Sequence, residues 1–198
     1  MKILYSPTSP YSSKVRMAAR FCDLPYTEET VDVYSDPAHL LEINPLGKIP
    51  TLLDDDGVAV YDSRAIMQYL DRKSGRKLFP RNPAKRSEAE KLEALCDGVM
   101  DALLAIRFER MFHAPEKVEQ AWIDRQWSKV ARGLDHLNAH LPRTSKNLHG
   151  GHFALASLVA YLVLRFEGEW ERGRSKLKNW PEKFNRFFPD FEKLKPQV

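Results

Sequence analysis

The sequence predicts an α/β unit with a mixed four-stranded sheet at residues 1–76, a linker at 77–84 and an all-α unit at 85–198. Three observations carry this. Short apolar runs alternate with helix-period segments over the first 75 residues. Gly75, Pro80 and Pro83 then interrupt any helix in a basic stretch. Beyond them strand signals largely vanish, and apolar residues recur three or four positions apart.

Ile3, Leu4 and Tyr5 form the first buried-strand run. Residues 14–22 carry Val15, Ala18, Ala19 and Cys22 at helical spacing. Residues 26–33 read as a second strand. Asp36 and Pro37 read as a helix start, an N-cap followed by proline at the first helical position. Residues 51–53 and 58–61 are strands joined by Asp54-Asp55-Asp56-Gly57, and the Asp-Gly pair is a hairpin signal. Asp62 and Ser63 cap a helix that runs to about Lys73, with Ile66, Met67 and Leu70 facing inward. The order is βαβα-ββα, a three-layer arrangement. Past the break, Leu92, Leu95, Val99, Leu103 and Ile106 make residues 84–112 one long helix. Pro115 starts a second, which reaches Leu141 through Trp122, Val130, Leu134 and Leu137. Residues 154–166 are apolar nearly all round, which predicts a buried central helix. His149-Gly150-Gly151-His152 reads as the loop before it, and residues 181–188 as a shorter helix.

The chain has 198 residues, 43% hydrophobic and 29% charged, which is enough for a sizeable core in a soluble protein. No apolar run approaches the ~20 residues of a membrane span. The first apolar run is too short for a signal peptide, so a cytoplasmic location is expected. The net charge of +4 favours anionic ligands. Arg172, Arg174, Lys176 and Lys178 read as a solvated face. Without interleaved aromatic and basic residues, no nucleic-acid partner is expected. Cys22 and Cys96 read as buried small hydrophobes in a reducing compartment. His136 and His140 lie four apart but lack a third ligand, so they read as a surface pair and no metal is expected.

The most telling junction is Ser9-Pro10-Tyr11-Ser12, where a strand, a tight turn and a helix N-terminus meet. Glutaredoxins and thioredoxins place a reactive Cys-x-x-Cys at such a junction, because a helix N-terminus stabilises a thiolate. Both cysteine positions are serine here. A hydroxyl cannot exchange disulfides, but it can donate a hydrogen bond to a thiolate that a ligand brings in.

Further motifs follow in order. Asn44-Pro45-Leu46-Gly47-Lys48-Ile49-Pro50 resembles an N-P-x-G-K-[VI]-P segment, and Asp62-Ser63-Arg64-Ala65-Ile66 an [ED]-S-x-A-I helix start. Leu78-Phe79-Pro80 resembles the approach to a linker, and Ala94-Leu95-Cys96-Asp97-Gly98 fits the first all-helical element. With the Ser9-Pro10-Tyr11 turn, the whole chain resembles a glutathione S-transferase of the serine-type bacterial kind. The resemblance implies a thioredoxin-like N-terminal domain that binds glutathione as cosubstrate, and a helical domain that supplies the pocket for a small hydrophobic electrophile. One departure is clear. The family commonly opens its central helix with Ser or Thr followed three residues later by Asp, and Ala154 and Ser157 stand there. The lost cap is worth about 1 kcal/mol, with His152 as the candidate substitute.

The resemblance also implies residue roles. Ser9 hydrogen-bonds the glutathione sulfur, with Thr8 and Ser12 as neighbouring hydroxyls that share or take the role. The proline of the second motif is cis in the family, so the Ile49 N–H and C=O before Pro50 pair with the cysteinyl backbone like an added strand. Ser63, at a helix N-terminus, receives the γ-glutamyl carboxylate, and Asp62 takes the amine; the alternative is that the two merely cap the helix. Lys48 reaches the glycyl carboxylate, or is a solvated surface lysine. Arg107, Met111 and Phe112 line the acceptor pocket, or are core and surface residues. Trp122 and Trp127 read as packing. A homodimer is expected, with Ala65, Gln68, Tyr69 and Arg72 on one helix and Ala89, Glu93, Cys96 and Met100 on another as contacts. Two other readings share the scaffold. One is a glutathione-dependent isomerase, dehalogenase or ether-cleaving enzyme. The other is a non-enzymatic transferase-like binding protein, such as the RNA-polymerase-associated stringent starvation proteins. Intact Ser9, Ile49-Pro50 and Asp62-Ser63 weigh against the last.

Overall fold

In the computed structural model, which describes all of residues 1–198, four short strands form one mixed sheet in the order β2-β1-β3-β4. Strand β1 (Lys2–Tyr5) leads into helix α1 (Pro10–Phe21), which crosses over to β2 (Thr27–Thr30). That connection makes β1 and β2 parallel, with Lys2 opposite Thr27. Short helix α2 (Ala38–Leu41) precedes β3 (Thr51–Leu53), which runs antiparallel to β1 with Leu4 opposite Thr51. Strand β4 (Ala59–Val60) returns antiparallel to β3, with Leu52 opposite Val60. Gly57, at φ +79°, supplies the left-handed residue this hairpin needs. The Asp54 carboxylate accepts from the N–H groups of Asp56 and Val58 at 2.9 and 2.8 Å. Helix α3 (Ser63–Lys73) completes the βαβα-ββα order, with Ile66, Met67 and Leu70 buried.

The remainder is helical: α4 (Pro83–Phe112), α5 (Gln120–Ala139), α6 (Gly150–Arg165), α7 (Ser175–Lys178), α8 (Trp180–Asn185) and α9 (Phe191–Leu194). Helix α6 is the buried centre, with every residue from Gly150 to Leu162 out of solvent. Phe153 sits among Phe21, Phe184 and Phe188 at centroid distances of 5.1, 5.8 and 5.4 Å. Removing such a ring leaves a cavity that costs about 3–5 kcal/mol. This core runs continuously from Ile3 and Leu52 in the sheet to Leu194. The Ser13 hydroxyl donates to the Leu194 carbonyl at 2.7 Å and meets the Ser157 hydroxyl at 3.3 Å, tying α1 to α6 and α9.

Several sequence expectations need correction. Asp36 does not cap α2. It adopts φ +46° at the end of a 3-10 turn, Val33–Ser35, that Asp32 caps through the Tyr34 N–H at 3.0 Å. Helix α2 starts at Ala38 without a side-chain cap. Pro115 opens only a 3-10 turn, and α5 starts at Gln120, where the Glu119 carboxylate accepts from the Ala121 N–H. The predicted helix at 181–188 is α8, flanked by two further short helices.

His149-Gly150-Gly151-His152 is no loop. His149 is the N-cap of α6 and the other three form its first turn. A Cβ at Gly150 would lie 2.5 Å from the Phe79 ring, and one at Gly151 would lie 2.8 Å from the Ala89 carbonyl. The paired glycines let this turn pass against Phe79 and α4. The cap falls at His149 and His152 and not at Ala154 and Ser157, which lie inside the helix; the His152 ring accepts from the His149 N–H at 3.2 Å and serves the helix start. Burial pulls the His149 imidazole down to about 3 and lowers His152, which keeps both neutral.

Candidate active site

The sheet topology gathers the loops. β1 ends beside the start of β3, because Leu4 faces Thr51, and β4 ends beside the same point, because Val60 faces Leu52. β2 runs parallel to β1, so it ends there too, with Tyr5 opposite Thr30. The turn at Ser9, the Ile49-Pro50 approach to β3, the Asp62-Ser63 entry to α3 and the Tyr34 turn after β2 therefore emerge from one end of the sheet. This is the carboxyl end of three strands and the amino end of β3.

Ser9 is the N-cap of α1, in extended conformation at φ −78° and ψ 121°, with Pro10 at the first helical position. Its Oγ accepts the Ser12 N–H at 3.2 Å. That bond uses a lone pair, so the half-buried hydroxyl keeps its own proton to donate. Ser12 itself is fully buried, and its Oγ has no partner. Thr8 meets the Ser6 hydroxyl at 3.3 Å.

The 44–50 loop is held by a residue to which sequence reasoning gave no role of its own. Asn44 is buried; its amide donates to the Lys48 carbonyl at 2.9 Å and to the Thr51 hydroxyl at 3.0 Å. Thr51 in turn donates to that carbonyl at 2.8 Å, and the Asn44 Oδ1 accepts from the Leu46 N–H at 3.1 Å. Only a buried carboxamide offers donors and an acceptor together here. The Ile49–Pro50 peptide is cis, as is Tyr61–Asp62. The N–H and C=O of half-buried Ile49 have no partner within the chain. Lys48 is exposed and forms no ion pair.

Asp62 caps α3, its Oδ1 accepting from the Arg64 N–H at 3.0 Å, and it is exposed. The Ser63 hydroxyl has no hydrogen-bond partner in the chain, although the residue is 4% exposed. Behind this helix start lies a buried ion cluster that the sequence did not reveal. Lys14, fully buried, contacts Glu93 at 3.0 Å and both oxygens of Asp97 at 2.9 Å. Arg64 reaches Asp97 at 2.9 Å from the other side. The cluster ties α1, α3 and α4 together. Burial pushes the Glu93 carboxyl up, and the Lys14 ammonium offsets part of this. The Tyr11 hydroxyl donates to Asp101, and burial together with that carboxylate raises its pKa. Lys14 carried no sequence signal of burial.

Phe112, 61% exposed, meets Tyr34, 59% exposed, at 5.9 Å, and Phe108 packs on Phe112 at 5.7 Å. An exposed aromatic cluster thus joins the Tyr34 turn to the end of α4. Of the expected pocket residues, Phe112 belongs to it and Met111, 39% exposed, is its sequence neighbour. Tyr34 and Phe108 were missed. Arg107 lies near Tyr161, where its charge offsets part of the rise that burial gives the phenol. Trp122 is 44% exposed, while Trp127 packs on Phe166 at 6.1 Å. His136 and His140 stack at 4.5 Å. Cys22 and Cys96 are buried free thiols, both raised by burial. Ala89, Glu93, Cys96 and Met100 are buried within the single chain, so they are not dimer contacts. Ala89 lies against Gly151 of α6 and Glu93 pairs with Lys14 of α1 instead.

Comparison with known proteins agrees with this architecture. A family model for the glutathione S-transferase N-terminal domain matches residues 8–73, and one for the C-terminal domain matches residues 120–182. The chain is 30% identical over 169 residues to the uncharacterised GST-like protein YibF of Escherichia coli K12, covering 83% of each. It is 31% identical to a probable maleylacetoacetate isomerase of Caenorhabditis elegans, over 79% of this chain and 72% of that one. The crystal structure of a glutathione S-transferase from Methylobacillus flagellatus with glutathione bound superimposes with a TM-score of 0.89 at 31% identity, over 99% of both chains. Two matched domains in order, a near-complete relative and a four-stranded thioredoxin-like sheet followed by a helical domain place the chain in the glutathione S-transferase family.

Proposed function

We propose that the chain is a glutathione transferase in which Ser9 stabilises the thiolate of bound glutathione for attack on a small hydrophobic electrophile. The observation that carries this is the convergence of Ser9, Ile49 and Ser63 at one end of the sheet, each with unpaired polar atoms. Ile49 N–H and C=O pair with the cysteinyl backbone as an added strand would. The γ-glutamyl carboxylate sits at the α3 N-terminus on the Ser63 hydroxyl and free N–H groups. Asp62 holds the amine through its second oxygen, and Lys48 takes the glycyl carboxylate.

A free thiol has a pKa near 8.5 and is mostly protonated at neutral pH. A hydrogen bond from Ser9 and the α1 N-terminus favour the charged form. The thiol proton leaves to solvent. Sulfur then bonds to the electrophilic carbon, and the leaving group departs with its electron pair. The Tyr34, Phe108 and Phe112 rings form the apolar wall for the acceptor.

Residues 1–76 serve as the glutathione domain, 77–84 as linker and 85–198 as the acceptor domain. A homodimer using the exposed Ala65 and Arg72 with half-buried Gln68 and Tyr69 of α3 fits the family, and two buried free thiols fit a cytoplasmic, reducing setting. A glutathione-dependent isomerase on the same site is the second reading, supported by the Caenorhabditis elegans relative. The test is retention on immobilised glutathione followed by assay with an activated aryl chloride. Failure to bind glutathione at millimolar concentration sinks both readings; binding without conjugation leaves the isomerase.

A further inference from the structure

A second concavity lies away from the proposed glutathione site. A groove of about 1000 Å³ is bounded by the end of α1, the 76–81 segment, the first half of α4, the end of α5 and the 140–149 stretch that follows it. None of Ser9, Lys48, Ile49, Pro50, Asp62 or Ser63 lines it. Its walls carry Arg76, Arg81, Lys85, Lys91, Arg143 and Lys146, all exposed, none in an ion pair and none donating a side-chain hydrogen bond within the chain. Lys77, the seventh cation, is paired with Asp23 at 3.2 Å. Asp23 and Glu88 are the groove's only acids, so the groove alone holds more positive charge than the chain's formal +4.

Like charges gathered in a concave wall repel one another, and the low-dielectric walls focus their field on the space between them. An ordinary solvated face balances the two signs, and this one sets seven Lys and Arg side chains against two carboxylates. The volume lies in the range of small-molecule sites, about 300–1,000 Å³. A second copy docked by two-fold symmetry brings the same cations face to face, which disfavours a protein interface. The exposed rings in the wall are the His136 and His140 imidazoles, which stack on each other at 4.5 Å; Phe21 is half-buried and Phe79 buried, so no exposed Phe, Tyr or Trp offers a platform for stacked bases of a nucleic acid.

We propose that this groove is a second ligand site, for a small polyanion that carries a chain of phosphates. Inorganic tripolyphosphate and a nucleoside triphosphate share that chemistry. Lys85 and Lys91 from α4, Arg143 and Lys146 from the 141–148 loop, and Arg76 and Arg81 from the 76–81 segment contact successive phosphates. The inference extends beyond the transferase reading and does not depend on it.

Calorimetry on the full chain at fixed ionic strength tests this, with sodium tripolyphosphate, adenosine triphosphate and orthophosphate titrated in turn. Tripolyphosphate binds one site per chain, and orthophosphate binds more weakly. The double variant Lys85→Glu with Arg143→Glu weakens tripolyphosphate by about tenfold or more. Lys176→Glu with Lys183→Glu makes the same charge change outside the groove and leaves the affinity as in the parent. If the double reversal does not fold, Lys85→Gln with Lys146→Gln carries the same expectation. Tighter binding of the nucleoside triphosphate assigns a nucleotide, and equal binding assigns inorganic polyphosphate; both uphold the site. No heat from tripolyphosphate at millimolar concentration, equal weakening in the control pair, or an RNA oligomer that outcompetes tripolyphosphate overturns it.

Discussion

The Asn44 amide and the Lys48 carbonyl are joined at 2.9 Å, and the Thr51 hydroxyl closes on the same carbonyl at 2.8 Å. This clamp fixes the residue that precedes Ile49, and so fixes the backbone proposed to pair with glutathione. Asn44→Ala removes two donors and one acceptor from a buried site. It should lower stability by about 1–3 kcal/mol in urea unfolding and weaken glutathione binding as well. Asn44→Asp keeps the acceptor for the Leu46 N–H but loses the donors and buries a charge, so it should be at least as destabilising. Parent-like stability and affinity in both variants would remove the clamp from the account.

Lys14 compensates Glu93 and Asp97 in a site closed to water. Lys14→Met should therefore cost about 3–5 kcal/mol, since it leaves Glu93 buried without its cation and Asp97 with Arg64 alone. The loss should depend on pH. Burial is the larger cause acting on Glu93, and it holds the folded-state pKa above the ordinary carboxylate value. A carboxyl raised on folding holds its proton more tightly in the native state. Its contribution is thus full below the unfolded value and is lost as pH rises through the folded one. Without Lys14 that window widens upward. The variant should lie nearest the parent below the ordinary carboxylate range and fall further behind as pH rises above it. A pH-independent difference between the two in chemical denaturation would contradict this.

What the sequence revealed follows from what kind of signal each feature leaves. Periodicity exposed α3 to within a residue and α4 likewise, because Ile66, Met67 and Leu70 or Val99, Leu103 and Ile106 recur on a buried face. The Asp54–Gly57 turn was legible because φ above zero calls for glycine. The start of α6 was not, since two glycines read as a loop until Phe79 and Ala89 are seen to crowd them. Asp36-Pro37 matched a local rule that Asp32 had already satisfied one turn earlier. Motif order located Ser9, Ile49-Pro50 and Asp62-Ser63. The groups that brace them, Asn44, Lys14 and Asp97, are polar residues in the interior, and burial of a polar side chain has no one-dimensional signature. For the same reason Glu93 and Cys96 looked like surface contacts when α4 turns them inward.

Asp62→Ala and Ser63→Ala separate binding from stability. The Asp62 carboxylate caps α3 at 3.0 Å, so its removal costs about 1 kcal/mol of fold stability. The Ser63 hydroxyl makes no hydrogen bond within the chain, so Ser63→Ala should leave stability near that of the parent. Each charge-assisted contact to glutathione is worth about 1.5–3 kcal/mol, so both variants should bind it at least tenfold more weakly by calorimetry. Parent-like affinity in both would move the γ-glutamyl group elsewhere.

Ser9 should act on the ionisation of the thiol and not on affinity for the tripeptide. Its Oγ accepts the Ser12 N–H through one lone pair, and the hydroxyl proton, which is what a thiolate can accept, stays uncommitted. Ser9→Ala should leave glutathione binding nearly intact, because the Ile49, Asp62 and Ser63 contacts remain. It should raise the pKa of the bound thiol and slow conjugation of an activated aryl chloride, about tenfold for each 1.4 kcal/mol of thiolate stabilisation lost. The variant also loses a helix cap, worth about 1 kcal/mol, so unfolding must be measured alongside. Ser12 is sealed from solvent and Thr8 is engaged with Ser6, so neither should compensate. The deciding measurement is thiolate absorbance of bound glutathione against pH in parent and variant. Coincident midpoints would take Ser9 out of the mechanism, and a midpoint displaced upward at unchanged affinity would assign it to the sulfur.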